Sequence, residues 1–301
     1  MTIPFEGVPL HDLGPLAERA EALGYDGLWS AESTHHDGFT PLVSAAEHTE
    51  RVRLVTGIVN VFTRGPALLA QTAAALSDVS NGRFVLGLGA SSDVIVERWN
   101  GIPFRQPLAK VEETVDYLRT VLAGERGQGG FKLGAPPAQP VPIILAALRE
   151  PMLRLAARIA DGAFTNFLPL SRVEQVTAAF GAPQKELACR FFSLHGDDAL
   201  ERAKRTFVAY ATVPVYTDFF RWLGFADEVD PLVDAWNAGD RGRAVELVPE
   251  QLVREIFLLG PLDAQRERLA EFGAAGIDTG VLALSCPPHE LPALLDGFAP
   301  R

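Results

Sequence analysis

Residues 51–89 read RVRLVTGIVNVFTRGPALLAQTAAALSDVSNGRFVLGLG. Two apolar, strand-like runs stand at its ends, Val52 to Val61 and Arg83 to Leu88. Between them Gly65-Pro66 opens a helix and Ser80-Asn81-Gly82 closes it, since proline suits a first helical turn and glycine a helix exit. Leu68, Thr72, Ala75, Leu76 and Val79 recur at three- and four-residue spacing, which predicts one amphipathic face turned to a core. Strand, helix and strand within about forty residues make a parallel crossover unit. Its two glycine-bearing ends, Gly57-Ile58-Val59-Asn60 and Gly87-Leu88-Gly89-Ala90-Ser91-Ser92, are places where a backbone can approach a ligand, because glycine has no side chain to keep it away.

The same alternation extends in both directions. Upstream, Met1 to Glu6 predicts a short strand, Leu13, Leu16, Ala20 and Leu23 a helix face, and Tyr25 to Ser30 a second strand. The polar loop Glu32 to Gly38 then leads to a helix around Pro41 to Glu47. Downstream, strands are predicted at Val141 to Ala147, Gly162 to Asn166, Leu187 to Leu194 and Gly280 to Leu284, with helical patterns between. Eight strands alternating with helices fit an α/β (β/α)8 TIM barrel forming a single domain over residues 1–301. An open doubly wound sheet is the structural rival; even strand spacing and uniform composition favour the barrel. Two stretches interrupt the rhythm. Residues 124–140 are rich in Gly and Pro. Residues 213–260 read as helical and hold Tyr216, Phe219, Phe220, Trp222, Phe225 and Trp236, a set that suits core packing and also a lid over an apolar substrate.

The chain has 301 residues, of which 48% are hydrophobic, and a formal net charge of −11. That charge, with no basic cluster, argues against binding nucleic acid. No apolar run is long enough for a membrane span, and the start lacks the basic and apolar segments of a signal peptide. Cys189 and Cys286 are the only cysteines, too few for a disulfide framework. A cytoplasmic protein is the expectation.

Barrel enzymes place their chemistry at the C-terminal ends of the strands. That rule selects Glu32, Ser33, His35 and His36 after the second strand, and Gly57, Ile58, Asn60 and Arg64 after the third. It also selects Ser91 and Ser92 after the fourth, Ala147, Leu148 and Arg149 after the fifth, then Asn166, His195 and Cys286. His35-His36 lacks the helical spacing of a zinc motif and has no third ligand, so no metal is expected. Gly87-x-Gly89 has Ser92 where a dinucleotide fingerprint needs its third glycine. Arg149-Glu150-Pro151 combines a forked cation with a helix N-terminus, a pairing suited to phosphate.

Several segments resemble the bacterial luciferase-like oxidoreductases: Leu23 to Trp29 with Ala31-Glu32-Ser33, His48 to Gly57, Pro66 to Gln71, and most specifically Ser80 to Gly89. Val141 to Met152, Ile159 to Gly162 and Ala274 to Asp278 continue the likeness nearly end to end. Within that superfamily the chain looks most like the coenzyme F420-dependent branch. The resemblance implies a barrel whose mouth binds a deazaflavin, with a non-proline cis peptide at Gly57-Ile58 forming a bulge behind the ring. It implies cofactor contacts from Gly57, Ile58, Asn60, Ser91 and Ser92, and the phosphate tail near Ala147, Leu148 and Arg149. Where F420-dependent sugar-phosphate and alcohol dehydrogenases have Asp-His at the end of strand two, this chain has Glu32-Ser33, which leaves Glu32, His35 or His36 to handle the proton. The expected function is hydride transfer between F420 and a partly apolar small organic substrate, in a homodimer. The alternatives are an FMN-dependent monooxygenase and a barrel that binds a flavin or deazaflavin without catalysis.

Overall fold

The apolar runs become nine strands in the computed structural model, which describes residues 1–300. They are β1 (Thr2–Ile3), β2 (Gly27–Ser30), β3 (Arg53–Thr56), β4 (Val59–Asn60), β5 (Phe84–Gly89), β6 (Ile143–Ala146), β7 (Gly162–Asn166), β8 (Glu186–Leu194) and β9 (Thr279–Ser285). All pair in parallel in the order β1-β2-β3-β5-β6-β7-β8-β9, with β4 also on β5. Because β3 and β4 are two halves of one stave and β1 lies against β9, the sheet is a nearly closed eight-stave barrel. The expected (β/α)8 architecture is therefore present, and the doubly wound alternative is not.

Barrel strands are buried on both faces, which is why they read as continuous apolar runs. Inside, Trp29, Val55, Val85, Ile144, Phe164, Ala188 and Val281 form their own cluster. The outer core lies between the staves and the helices.

One expectation about the central unit is corrected. The helix Pro66–Val79 forms as predicted, but it buries Leu69, Ala70, Ala73, Ala74, Leu76 and Ser77. Of the five residues assigned to its inner face only Leu76 is buried; Leu68 is 50% and Val79 53% exposed. This helix is apolar or small nearly all round, so periodicity by itself cannot choose a face. Alanines let it sit close on the barrel beside buried Leu69 and Leu76, while Leu68 and Val79 are turned outward.

The base of the barrel is fixed by polar groups that tie this unit to its neighbours. Glu21, at the end of the helix Leu13–Ala22, accepts the backbone N–H groups of Glu50, Arg51 (2.6 Å) and Val52 (2.7 Å) as the chain enters β3. Burial alone would raise its pKa, but those three bonds and the Arg51 charge hold it below the usual range. Arg83 does the converse, donating to the carbonyls of Ala46, Thr49, Val52 and Ser80. Inside the base, Arg53 makes a bidentate pair with Glu186, both bonds 3.0 Å, and Thr279 donates to the same carboxylate.

Of the two interruptions, residues 124–140 contain one short 3-10 turn, Gln128–Gly130. The stretch 213–260 is helical, with helices Pro214–Trp222, Ala226–Asn237, Arg241–Glu246 and Glu250–Ile256. Phe219 and Phe220 are fully buried there. Among the described residues no helix is long and apolar enough to cross a membrane.

Candidate active site

The expected single run from Val52 to Val61 is broken at Gly57-Ile58, and that peptide bond is cis, as the resemblance implied. Val55 pairs with Val85 and Val59 with Leu88, so β3–β4 takes four steps where β5 takes three. One extra residue makes a bulge directed into the barrel. Thr56 covers the gap in the ladder: its Oγ1 accepts the Gly87 N–H (2.8 Å) and donates to the Gly87 carbonyl (2.9 Å).

Both glycines of Gly87-x-Gly89 face this bulge. A Cβ on Gly87 would lie 1.7 Å from the Thr56 carbonyl oxygen, and one on Gly89 would lie 2.9 Å from Ala146 Cβ and 3.1 Å from Ile58 Cδ1. The space freed by the missing side chains is thus occupied by protein, not held open for a ligand. The outcome is a low apolar floor: half-buried Ile58 lies across Gly89 and Ala146, supported below by Trp29 and Phe164, whose rings are 4.9 Å apart.

One side of the mouth is polar. Arg64 donates to Glu32 at 2.6 Å, lies 3.8 Å from Asp37, and stacks over Phe39. Asp37 accepts the N–H groups of Phe39 and Thr40 and the Thr40 hydroxyl as the chain enters the helix Thr40–Ala46. Burial pushes the Asp37 carboxyl up, yet those bonds and Arg64 bring it below its ordinary value. Glu32 Oε2, Arg64 Nε and His36 Nδ1 are buried with no hydrogen-bond partner among the described residues. His36 is half-buried, whereas His35 is exposed beside Thr34. Asn60 is 3% exposed, and its Oδ1 is occupied by the Phe62 and Thr63 N–H groups and the Thr63 hydroxyl, so it shapes the turn leading to Arg64.

After β5, Ser91 has a positive φ of 64° and Ser92 accepts the Ile95 N–H; both are half-buried. After β6, Ala147, Leu148 and Arg149 lead into the helix Glu150–Ile159. Among the described residues no acceptor meets the N–H groups of Leu148, Arg149 or Glu150. Arg149 is not free, however: its Nη1 lies 3.2 Å from Asp218 on the first helix of the insertion.

The sequence profile of the luciferase-like monooxygenases matches residues 3–279. The chain belongs to that family. A Mycobacterium tuberculosis protein, provisionally named a coenzyme F420-dependent oxidoreductase, is 27% identical over 89% of each chain. The coenzyme F420-dependent tetrahydromethanopterin reductase of Methanopyrus kandleri has the same fold, with a TM-score of 0.77 and 22% identity over 99% of this chain and 96% of the other. So does the FMN-bound oxygenating component of 3,6-diketocamphane monooxygenase from Pseudomonas putida, with a TM-score of 0.67 and 18% identity over 96% and 91%.

In this luciferase-like barrel the structure adds one residue to the mouth and removes another from it. His195, at the end of β8, faces away into a closed hydrogen-bond set. Ser193 donates to Gln265 (2.7 Å) and accepts from His195 Nε2 (2.8 Å), while Gln265 Nε2 approaches His195 Nδ1 (3.4 Å). Burial lowers the His195 pKa, so the neutral ring is favoured. Facing the mouth instead is Arg190, which no strand-end rule selected. The signal was available in the strand alternation, because Arg190 lies two residues beyond the inward-facing Ala188.

Proposed function

We propose that this chain is an F420-dependent oxidoreductase that moves a hydride between the deazaflavin and a partly apolar small organic substrate. The observation that carries this reading is the floor of the mouth, where the extra residue of β3–β4 lays Ile58 flat over two glycines and offers a planar ring an apolar seat. The N–H groups of Leu148, Arg149 and Glu150 lie at the same end of the barrel and suit a phosphate-bearing tail. The residues present therefore fit the cofactor, and the provisional name of the mycobacterial relative supports F420 in particular.

When bound, the deazaflavin supplies two-electron hydride chemistry at its ring. Ile58 supports the ring and keeps water from its underside. Gly57, Ser91 and Ser92 border it, and Ala147 to Arg149 hold the phosphate. His36 is the better placed of the two histidines to manage the accompanying proton, since its buried Nδ1 has no partner, whereas His35 is open to solvent. Glu32 orients the polar wall through Arg64.

Titration of the apoprotein with F420 and with FMN under matched conditions tests the assignment. F420 is expected to bind at least about tenfold more tightly. Equal or tighter FMN binding would favour the monooxygenase alternative. A homodimer accompanies this reading, supported by Leu68 and Val79 standing exposed on the helix Pro66–Val79, which packs beside the helix carrying exposed Val43.

A further inference from the structure

Above the Phe164–Ala188 layer the next inward positions on β7 and β8 are Asn166 and Arg190, which are paired in register. Asn166 is buried, and its carboxamide is fully oriented. Oδ1 accepts the Phe167 N–H (3.1 Å) and faces Arg190 Nε (3.4 Å), while Nδ2 donates to the Tyr216 hydroxyl (3.1 Å). Tyr216 comes from the helical insertion, so this network joins the insertion to the barrel. As an acceptor from Asn166, Tyr216 keeps its own proton available for another oxygen.

Arg190 lies over the Phe192 ring at 4.8 Å, and it has no carboxylate partner among the described residues. Its two terminal nitrogens are left without a protein acceptor, unlike those of Arg53, the other arginine directed inside the barrel, which Glu186 holds. Three donors thus flank the Asn166 carboxamide at one side of the mouth: the two arms of a guanidinium and a phenol. Around them Phe167, Phe192, Tyr210 and Tyr216 form an edge-and-face aromatic group with centroids 4.3–6.2 Å apart. Burial keeps the Tyr216 phenol protonated, its pKa pushed up to about 12.

We propose that Arg190, Tyr216 and Asn166 form a carboxylate subsite, so that the substrate is an organic acid whose apolar body lies on the aromatic group. A guanidinium fork matches the two oxygens of a carboxylate, and the phenol adds a third bond. Asn166 is the positioning residue. This subsite deepens the oxidoreductase reading and depends on it for its role.

Benzoate and phenylacetate serve as probes, with binding measured by calorimetry on the full chain, apo and loaded with F420. Wild type is expected to bind at least one of them. Arg190→Gln should weaken that binding at least about tenfold, and Tyr216→Phe by a smaller factor, with F420 affinity unchanged in both. Arg190→Lys, which keeps the charge but loses the fork, should be intermediate and covers the case in which Arg190→Gln does not fold. No binding of either acid by wild type, or equal binding by the arginine variants, overturns the subsite. Loss of F420 affinity in Arg190→Gln would give the cation to the cofactor and also overturn it. Acid binding that behaves as expected, in a chain that does not bind F420, would instead sink the cofactor assignment and leave the subsite standing.

Discussion

Gly87 has no side chain because the Thr56 carbonyl oxygen stands 1.7 Å from where a Cβ would be. That neighbour is backbone, held by the bulge, and cannot rotate away. Gly87→Ala should therefore destabilise the protein by more than about 3 kcal/mol, at or beyond the upper end of ordinary overpacking. Urea unfolding of the variant measures it. Thr56→Val probes the same place from the other strand. It removes the hydroxyl that satisfies both the N–H and the C=O of Gly87 while keeping the side-chain shape. Leaving those buried groups without partners should cost about 2–4 kcal/mol. Both glycines were legible in the sequence as special positions. What could not be read is that protein, not ligand, fills the space beside them, because Thr56 is thirty-one residues away in the chain.

At the scale of elements, two helices decide how the site is covered and what the outside of the barrel meets. The first insertion helix, Pro214–Trp222, is tied over the mouth by Asp218 to Arg149 and by Tyr216 to Asn166. The ion pair is half-exposed, so its removal should alter stability by less than about 1 kcal/mol. Its effect on anion binding should be larger: Asp218→Asn releases the Arg149 guanidinium and should tighten F420 binding several-fold, whereas Arg149→Gln should weaken it. Titration at two salt concentrations checks both, since a phosphate contact weakens as salt rises. The helix Pro66–Val79 turns Leu68 and Val79 outward. If a second copy of the chain covers that face, Leu68→Glu together with Val79→Lys should shift light-scattering mass from dimer to monomer with the fold retained. An unchanged mass would remove this face from the interface. Neither arrangement was legible locally: Asp218 is sixty-nine residues from Arg149, and a helix apolar or small nearly all round has no unique buried stripe.

Over the whole molecule, closure of the barrel buries titratable groups whose ionisation is linked to folding. His195 has a folded pKa below its ordinary 6.5, because burial disfavours the imidazolium. The unfolded chain therefore takes up a proton first as pH falls, and stability should begin to drop below about pH 6.5. Glu186 works at lower pH. Burial pushes it up, but the bonds from Arg53 and Thr279 and the Arg53 charge more than offset that, so its folded pKa lies below 4.5. Its contribution is complete above the unfolded value and is lost as pH falls below about 4.5. Urea midpoints measured from about pH 8 to about pH 4 should show both declines, with His195→Gln flattening the upper one and Glu186→Gln the lower. Much of this framework could be read from the chain. Strands buried on both faces appear as apolar runs, and helix starts and stops carry their own Gly and Pro signals, so alternation and strand ends were legible within a few residues. That was enough to place Glu32, Ile58, Ser91 and Arg149 at one end of a barrel. Only the tertiary structure decided which polar atoms there are already occupied, as Glu32 Oε1 is by Arg64, Asn60 Oδ1 by its own turn and Arg149 by Asp218, and which are left open, as the terminal nitrogens of Arg190, the Tyr216 O–H and His36 Nδ1 are. The physical reason is that local spacing sets the direction in which a side chain leaves its strand or helix, whereas a partner across the barrel is set by closure of the sheet, which brings together residues far apart in the chain.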